Sequence, residues 1–330
     1  MSKLRITLAC GDYDRTRALV DGRVQPEGID LNYIQLRPEE IFWRMLRDHE
    51  FEASEMSMSS YLIARDRGEP SLIALPVFVS RMFRHSCIYI NTKSGIREPK
   101  DLVGKRVGVP EYQITMALWV RGLLEHEYGV SPHQMIWFTG GGEQPGRQEK
   151  IPLHLPPDLQ IHPIPAHRTL ADMLESGEID ALVIAYMPSI FLRGAPHIRR
   201  LIPDYRKVEQ EYYRRTRIYP IMHTIVLRGD IYDQNPWVAQ SLYKAFCQSM
   251  RLCQASLYDT NALVCSIPWL IAEIEETRDL MGENFWPYGV GTNRPTLETL
   301  TQYSFEQGLT RRRLEVDSLF ASNTLQEFKI

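Results

Sequence analysis

The sequence predicts an α/β protein of two lobes, on three observations. Short β-branched runs alternate with segments whose apolar residues recur at helical spacing, the pattern of sheets covered by helices. After the second group of such runs, a strand-like stretch at 221–227 leads the chain back toward the first group. The chain has 330 residues, 44% hydrophobic and 24% charged, enough for two domains of ordinary size. The expected lobes are 1–95 with 221–330, and 96–220, with a ligand cleft between them.

Residues 4–10 (LRITLAC) read as a buried strand ending in the polar loop Gly11-Asp12-Tyr13-Asp14-Arg15-Thr16. Loops at the carboxyl ends of strands line the crevices of open α/β sheets, which makes Asp12 and Tyr13 candidate binding residues. Residues 29–36 form a second strand. Pro38-Glu39-Glu40 then opens a helix, with proline near its start and acids in its first turn. Residues 51–56 form a third strand, and Ser57-Met58-Ser59-Ser60 begins a helix whose free N–H groups stand beside the hydroxyls of Ser57 and Ser59. Two more strands, 71–80 and 87–91, flank Arg81-Met82-Phe83-Arg84-His85-Ser86, which gathers two guanidiniums and an imidazole where the chain is expected to cross between lobes.

Residues 96–102 read as a polar linker. The run from Lys105 to Val109, bounded by Gly104 and Pro110, passes directly into a helix carrying Met116, Leu118, Trp119, Leu123 and Leu124, which Gly129 stops. A helix that starts straight off a parallel strand aims its free N–H groups and the positive end of its dipole at the strand's carboxyl end. A carboxylate or phosphate is therefore expected near Glu111, Tyr112 and Thr115. Residues 134–138 are strand-like, and the Gly/Pro-rich stretch 139–157 has turn chemistry without periodicity, as in a functional flap. Gly140-Gly141-Gly142 lacks the Gly-Lys-Ser/Thr of a phosphate loop. A strand at 160–163 precedes His167-Arg168-Thr169 and a helix ending at Gly177. The buried strand 179–184 ends near Tyr186, and 221–227 returns through His223. Helices follow at 236–258 and 268–281, and the tail from 311 to 330 reads as surface helix.

The net charge of −3 argues against a nucleic-acid partner. Five scattered cysteines without CxxC spacing read as reduced thiols, not as a disulfide frame or a zinc site. No apolar run approaches the ~20 residues of a membrane helix, and the N-terminus lacks the regions of a signal peptide, so a cytoplasmic protein without membrane partners is expected. A homo-oligomer is compatible with the sequence.

Two crossings, near 84–98 and 219–226, describe the type II periplasmic-binding-protein-like fold. The segments GDYDRTRAL, FEASEMSMSSYL, PVFVSRMFRHSCIYIN, GKRVGVPEYQITMALWVRGLLEHEYGV and IYPIMHTIVLR resemble the 4,5-dihydroxyphthalate decarboxylase family. The resemblance covers most of the chain. It implies a carboxy-lyase that removes one carboxylate from 4,5-dihydroxyphthalate to give 3,4-dihydroxybenzoate in bacterial phthalate breakdown. Two alternatives share the fold: a solute-binding protein for transport of a small organic anion, and another aromatic-acid lyase.

Each carboxylate of that substrate has a hydroxyl para to its ring carbon, so a phenolate can push electrons to the carbon that is protonated before carbon dioxide leaves. The site then needs a base for the phenol, an acid aimed at the ring carbon, and cations for the remaining carboxylate. Arg81 and Arg84 are the candidate clamp, because guanidinium forms a fork that lysine cannot. His85 first, then His223 and His167, are candidates for proton transfer, with Glu55 or Asp12 orienting a histidine. No organic cofactor is expected, since the para hydroxyl supplies the electrons. No metal is expected either: a site in which His85, His167, His223 and Glu55 converge lacks HxH or HExxH spacing.

Overall fold

The structure is a computed structural model that describes residues 3–69 and 71–326. In chain order its strands are β1 (Leu4–Cys10), β2 (Ile29–Gln35), β3 (Ala53–Ser57), β4 (Leu72–Arg81), β5 (Ile88–Asn91), β6 (Arg106–Val109), β7 (Ile136–Thr139), β8 (Gln160–Pro163), β9 (Ala181–Val183), β10 (Ile198–Arg200) and β11 (Ile221–Arg228). They form a five-stranded sheet, β2-β1-β3-β11-β4, and a six-stranded sheet, β10-β5-β9-β6-β7-β8.

The chain divides into two compact units: residues 3–81, 223–298 and 314–326 among those described, and residues 82–222 with 299–313. This corrects the expected boundary at 95. Residues 82–95 belong to the second unit because β5 hydrogen-bonds to β9 and β10 in the six-stranded sheet. The expectation of one continuous return segment is corrected too, since residues 299–313 join the second unit. The reason is the helix Thr115–Tyr128, whose fully buried Arg121 donates Nε–H to Gln307 Oε1 at 2.7 Å. Gln307 answers with a hydrogen bond to the Leu118 carbonyl at 2.9 Å. Gly122 lies opposite Tyr303, where a Cβ would come within 2.0 Å of the ring, so glycine is what lets the ring seat against Trp119.

In the first unit β1 runs parallel to β2 and β3, and β11 runs antiparallel to β3 with His223 opposite Ser57 and Ile225 opposite Glu55. The period of two brings Ile6, Leu8 and Cys10 of β1, Val77 and Val79 of β4, and Ile225 and Leu227 of β11 into one core. The helix Trp237–Ser256 closes that core with Val238, Leu242 and Phe246, spaced as one helical face. Each such side chain contributes roughly 1.5–3 kcal/mol by leaving water. In the second unit the helix Leu170–Ser176 packs Leu170, Met173 and Leu174 on Tyr89, Leu182 and Ile198. Thr169 caps that helix, accepting from Asp172 N at 3.2 Å, and Gly177 ends it in the left-handed region.

Several elements carry no expectation from the sequence: β10 and the helices Tyr205–Thr216 and Val290–Glu306. The tail is corrected: residues 316–319 and 322–324 are 3₁₀ turns with Val316, Leu319 and Phe320 buried, not surface helix. Residues 327–330 of that expected tail lie outside the described residues.

Candidate active site

Glu55 sits in β3, wholly buried and on the same side of the strand as Ser57. Because His223 pairs with Ser57 across the ladder, it is the diagonal neighbour of Glu55, and its Nδ1–H donates to Glu55 Oε1 at 2.6 Å. The carboxylate also accepts from the Tyr13 hydroxyl at 2.6 Å and the Gly11 N–H at 2.8 Å, with Cys10 Sγ at 3.6 Å. Gly11 permits this closure: a Cβ there would lie 2.8 Å from the Tyr13 ring and 3.2 Å from the Glu55 carboxylate. Phe42 meets the His223 ring edge-on at 4.9 Å. The imidazole is thus held on one nitrogen and along one edge, while the side chain stays 20% exposed.

Burial pushes the Glu55 carboxyl up, but the hydrogen bond and charge of His223, with those of Tyr13 and Gly11, outweigh it, so Glu55 lies below its ordinary value and is a carboxylate at neutral pH. Burial, then the negative charge of Glu55, push the Tyr13 hydroxyl well up, as they do the Cys10 thiol. Tyr13 is therefore a neutral hydrogen-bond donor. The group is an anion-anchored imidazole whose Nε2 has no hydrogen-bond partner among the described residues.

The other expected residues fall in different places. Asp12 is exposed and takes Gln35 Nε2 at 2.9 Å, so it orients no histidine. Ser57 caps the helix Met58–Asp66, and Ser59 is buried in its first turn. Arg81 is buried and donates through Nη1 to Asn293 Oδ1 at 2.8 Å and the Pro287 carbonyl at 3.1 Å. Arg84, equally buried in the second unit, has only sulfur acceptors among the described residues: Met222 at 3.2 Å, Met82 at 3.5 Å and Cys87 at 3.6 Å. A buried guanidinium with such weak acceptors is a place for an anion. His85 is buried with its Nδ1 3.7 Å from Glu209 Oε1, too far for a hydrogen bond. His167 lies exposed in a turn, and Tyr186 is 43% exposed.

At the start of the helix Thr115–Tyr128 the expected anion is supplied by the chain itself. The Glu149 carboxylate accepts from the N–H of Tyr112, from Gln113 N at 3.4 Å and from Gln113 Nε2 at 3.0 Å. Thr115, buried, is the first residue of that helix. Burial, then the nearby Glu111 charge, raise the Glu149 carboxyl above its ordinary value, against the hydrogen bonds from Tyr112 and Gln113. Glu111 holds the loop, accepting from Arg147 at 2.7 Å and Lys150 Nζ at 2.6 Å. Tyr112 stacks under the buried Arg121 guanidinium at 3.6 Å. Sequence reasoning missed Glu149 because its segment has no periodicity and its partner lies 37 residues away.

Among the described residues one group has metal-ligand geometry, Glu125, His126 and Glu306, with ligand atoms within 4.8 Å of one another. It shares no residue with the Glu55 cluster. A cavity of about 650 Å³ in the first unit, lined by Lys3, Glu27, Trp237 and Lys244 among others, contains none of the expected site residues. No helix among the described residues is long and apolar enough to cross a membrane.

Comparison with known proteins follows the same lines. The NMT1/THI5 like family model matches residues 22–144. A 4,5-dihydroxyphthalate decarboxylase of Comamonas testosteroni is 42% identical over 330 residues, the full length of both chains. One from Pseudomonas putida is 44% identical over 214 residues, 65% of this chain and 83% of the relative. Among solved structures, the alkanesulfonate-binding protein SsuA from Xanthomonas axonopodis pv. citri superposes with a TM-score of 0.53 at 13% identity, covering 97% of this chain and 98% of that one. The periplasmic aliphatic sulphonate binding protein SsuA from Escherichia coli gives 0.52 at 13%, covering 98% and 99%. These likenesses show the fold, the type II periplasmic-binding-protein-like arrangement.

Proposed function

The chain belongs to the 4,5-dihydroxyphthalate decarboxylase family, and from that premise we propose that it is a carboxy-lyase converting 4,5-dihydroxyphthalate to 3,4-dihydroxybenzoate and carbon dioxide. The observation that carries the site assignment is the 2.6 Å contact between His223 and the buried Glu55 carboxylate. A carboxylate on Nδ1 fixes the tautomer and orientation of the ring, which leaves Nε2 to exchange protons.

The reaction proceeds in steps that this pair can serve. Loss of the phenol proton drives electrons through the ring to the para carbon, which takes a proton. The bond to the carboxylate then breaks, its electron pair restores the aromatic ring, and carbon dioxide leaves. The oxygen finally recovers its proton, so the net change is one proton taken up for each carbon dioxide released. His223 Nε2 is the proton carrier, and Glu55 compensates the charge on the ring as the proton moves. Tyr13, held neutral, keeps Glu55 in place through its hydroxyl. Arg84 and His85, neighbours in the second unit, form the alternative pair, Arg84 for the carboxylate that stays on the ring and His85 for proton transfer. The setting is cytoplasmic catabolism of phthalate-type acids, in keeping with five free cysteines.

The test is purified protein with 4,5-dihydroxyphthalate, with and without a chelator, followed by carbon dioxide release and product formation. Turnover unaffected by chelation is expected. Binding without carbon dioxide release would overturn the reading in favour of a solute-binding role, and activity abolished by chelation and restored by a divalent metal would overturn the metal-free mechanism.

A further inference from the structure

Among the described residues, Arg15 is the guanidinium that direct contacts place next to the Glu55 cluster. It lies two residues after Tyr13 in the 3₁₀ turn Asp14–Thr16, and its guanidinium lies over the Tyr13 ring at 4.2 Å and over the Trp286 ring at 4.3 Å. The same Tyr13 hands its hydroxyl to Glu55 at 2.6 Å. One phenol ring therefore separates this cation from the imidazole-carboxylate pair. Packed over both rings, the guanidinium donates its hydrogen bonds along its own plane.

That edge is partly committed. Nε–H donates to the Val79 carbonyl at 2.6 Å and Nη1 pairs with Asp14 at 3.0 Å. The first bond fixes the direction of the side chain. The second is to a carboxylate that is 55% exposed, the kind of surface pair that contributes little and exchanges readily. Nη2 and the remaining N–H of Nη1 have no partner among the described residues, on a side chain that is 14% exposed. A stacked, directed guanidinium with its terminal edge open is the form that binds a carboxylate in two parallel hydrogen bonds.

We infer that Arg15 holds the carboxylate that stays on the ring, an assignment that rests on the decarboxylase reading. Between the two carboxylates the choice follows from charge. A cation clamped on the departing group would stabilise the charged ground state and lose its partner as neutral carbon dioxide forms, whereas a cation on the retained group keeps its bond throughout. Arg15 is then also the residue that gives the product its affinity.

The experiment measures binding directly. Calorimetry on wild type, Arg15→Lys and Arg15→Gln uses 3,4-dihydroxybenzoate, which keeps the carboxylate, and catechol, which lacks it, with melting temperatures recorded alongside. Arg15→Gln is expected to weaken 3,4-dihydroxybenzoate by about 10- to 100-fold, the range for hydrogen bonds to a charged group, while catechol binds as to wild type. Arg15→Lys, with charge but no fork, falls between. Unchanged 3,4-dihydroxybenzoate affinity in both variants, or equal weakening of both ligands, overturns the assignment, the latter by showing a structural role. Failure of wild type to release carbon dioxide from 4,5-dihydroxyphthalate overturns the reading beneath it, so the two failures are told apart.

Discussion

His223 Nδ1 lies 2.6 Å from Oε1 of Glu55, a residue 168 positions earlier in the chain, because β11 runs antiparallel to β3 and sets the two as diagonal neighbours on one face. The contact joins an exchangeable proton on a partly exposed ring to an anion with no exposure of its own.

Replacing His223 with Asn should therefore cost ~10²–10⁴-fold in kcat, the usual effect of losing a positioned acid–base group. The melting temperature should change little, since Asn can still donate to Glu55. Carbon dioxide release by His223→Asn and His85→Asn, compared side by side, decides which histidine carries the proton: a near-normal rate in the first and a large loss in the second would assign the role to His85.

The pH dependence of stability contains two carboxylates of opposite sign. Glu55 has its folded pKa below its ordinary 4.5, so its ionised form stabilises the fold above that pH, and the contribution fades as pH falls through the folded value. The melting-temperature gap between wild type and Glu55→Gln should be flat above pH 5 and shrink below about 4.5. A gap that widened on acidification would mean that burial, not His223, governs Glu55.

Glu149 behaves the other way. Its folded pKa is raised above 4.5, so its contribution is complete below that pH and is lost as pH rises through the folded value. Relative to Glu149→Gln, wild type should gain stability as pH is lowered from neutral toward 4.5. Parallel melting curves for the two proteins across that range would refute the raised value.

Glu111 ties the 146–150 segment down through Arg147 and Lys150, and both Glu111 and the Lys150 side chain are buried. Glu111→Gln strands a buried lysine, a loss of about 3–5 kcal/mol when one partner of a buried pair is removed. Limited proteolysis should then cut within 139–157 faster than in wild type; equal cutting rates would show that the loop is held by other contacts.

Gly122→Ala sets two effects against each other. Alanine favours a helix by about 0.8–1.0 kcal/mol, but overpacking costs about 1–3 kcal/mol. Tyr303 is held between Trp119 and His126, so it has little room to yield. A net loss of stability is expected in denaturant titration, and a gain would show that Tyr303 swings aside.

Much of the fold could be read from the sequence, because local signals settle local structure. The apolar run in LRITLAC marks β1, the proline and acids at Pro38-Glu39-Glu40 start the helix Pro38–Asp48, and Gly129 and Gly177 stop their helices at φ values of 70° and 82°. Candidates such as Glu55, Tyr13 and His223 followed from residue type and from their place at strand ends. Which of them meet was decided by the tertiary structure. Strand pairing across 168 residues put Glu55 on His223, while Asp12 turned to Gln35. Glu149 reached the N–H groups of Tyr112 and Gln113 from a loop without periodicity, and residues 299–313 joined the second unit through Gln307 and Tyr303. The physical reason is range. Propensity and capping act within a turn or two of helix, whereas a carboxylate's partner depends on which strands lie side by side, and a sequence states that only once it is folded.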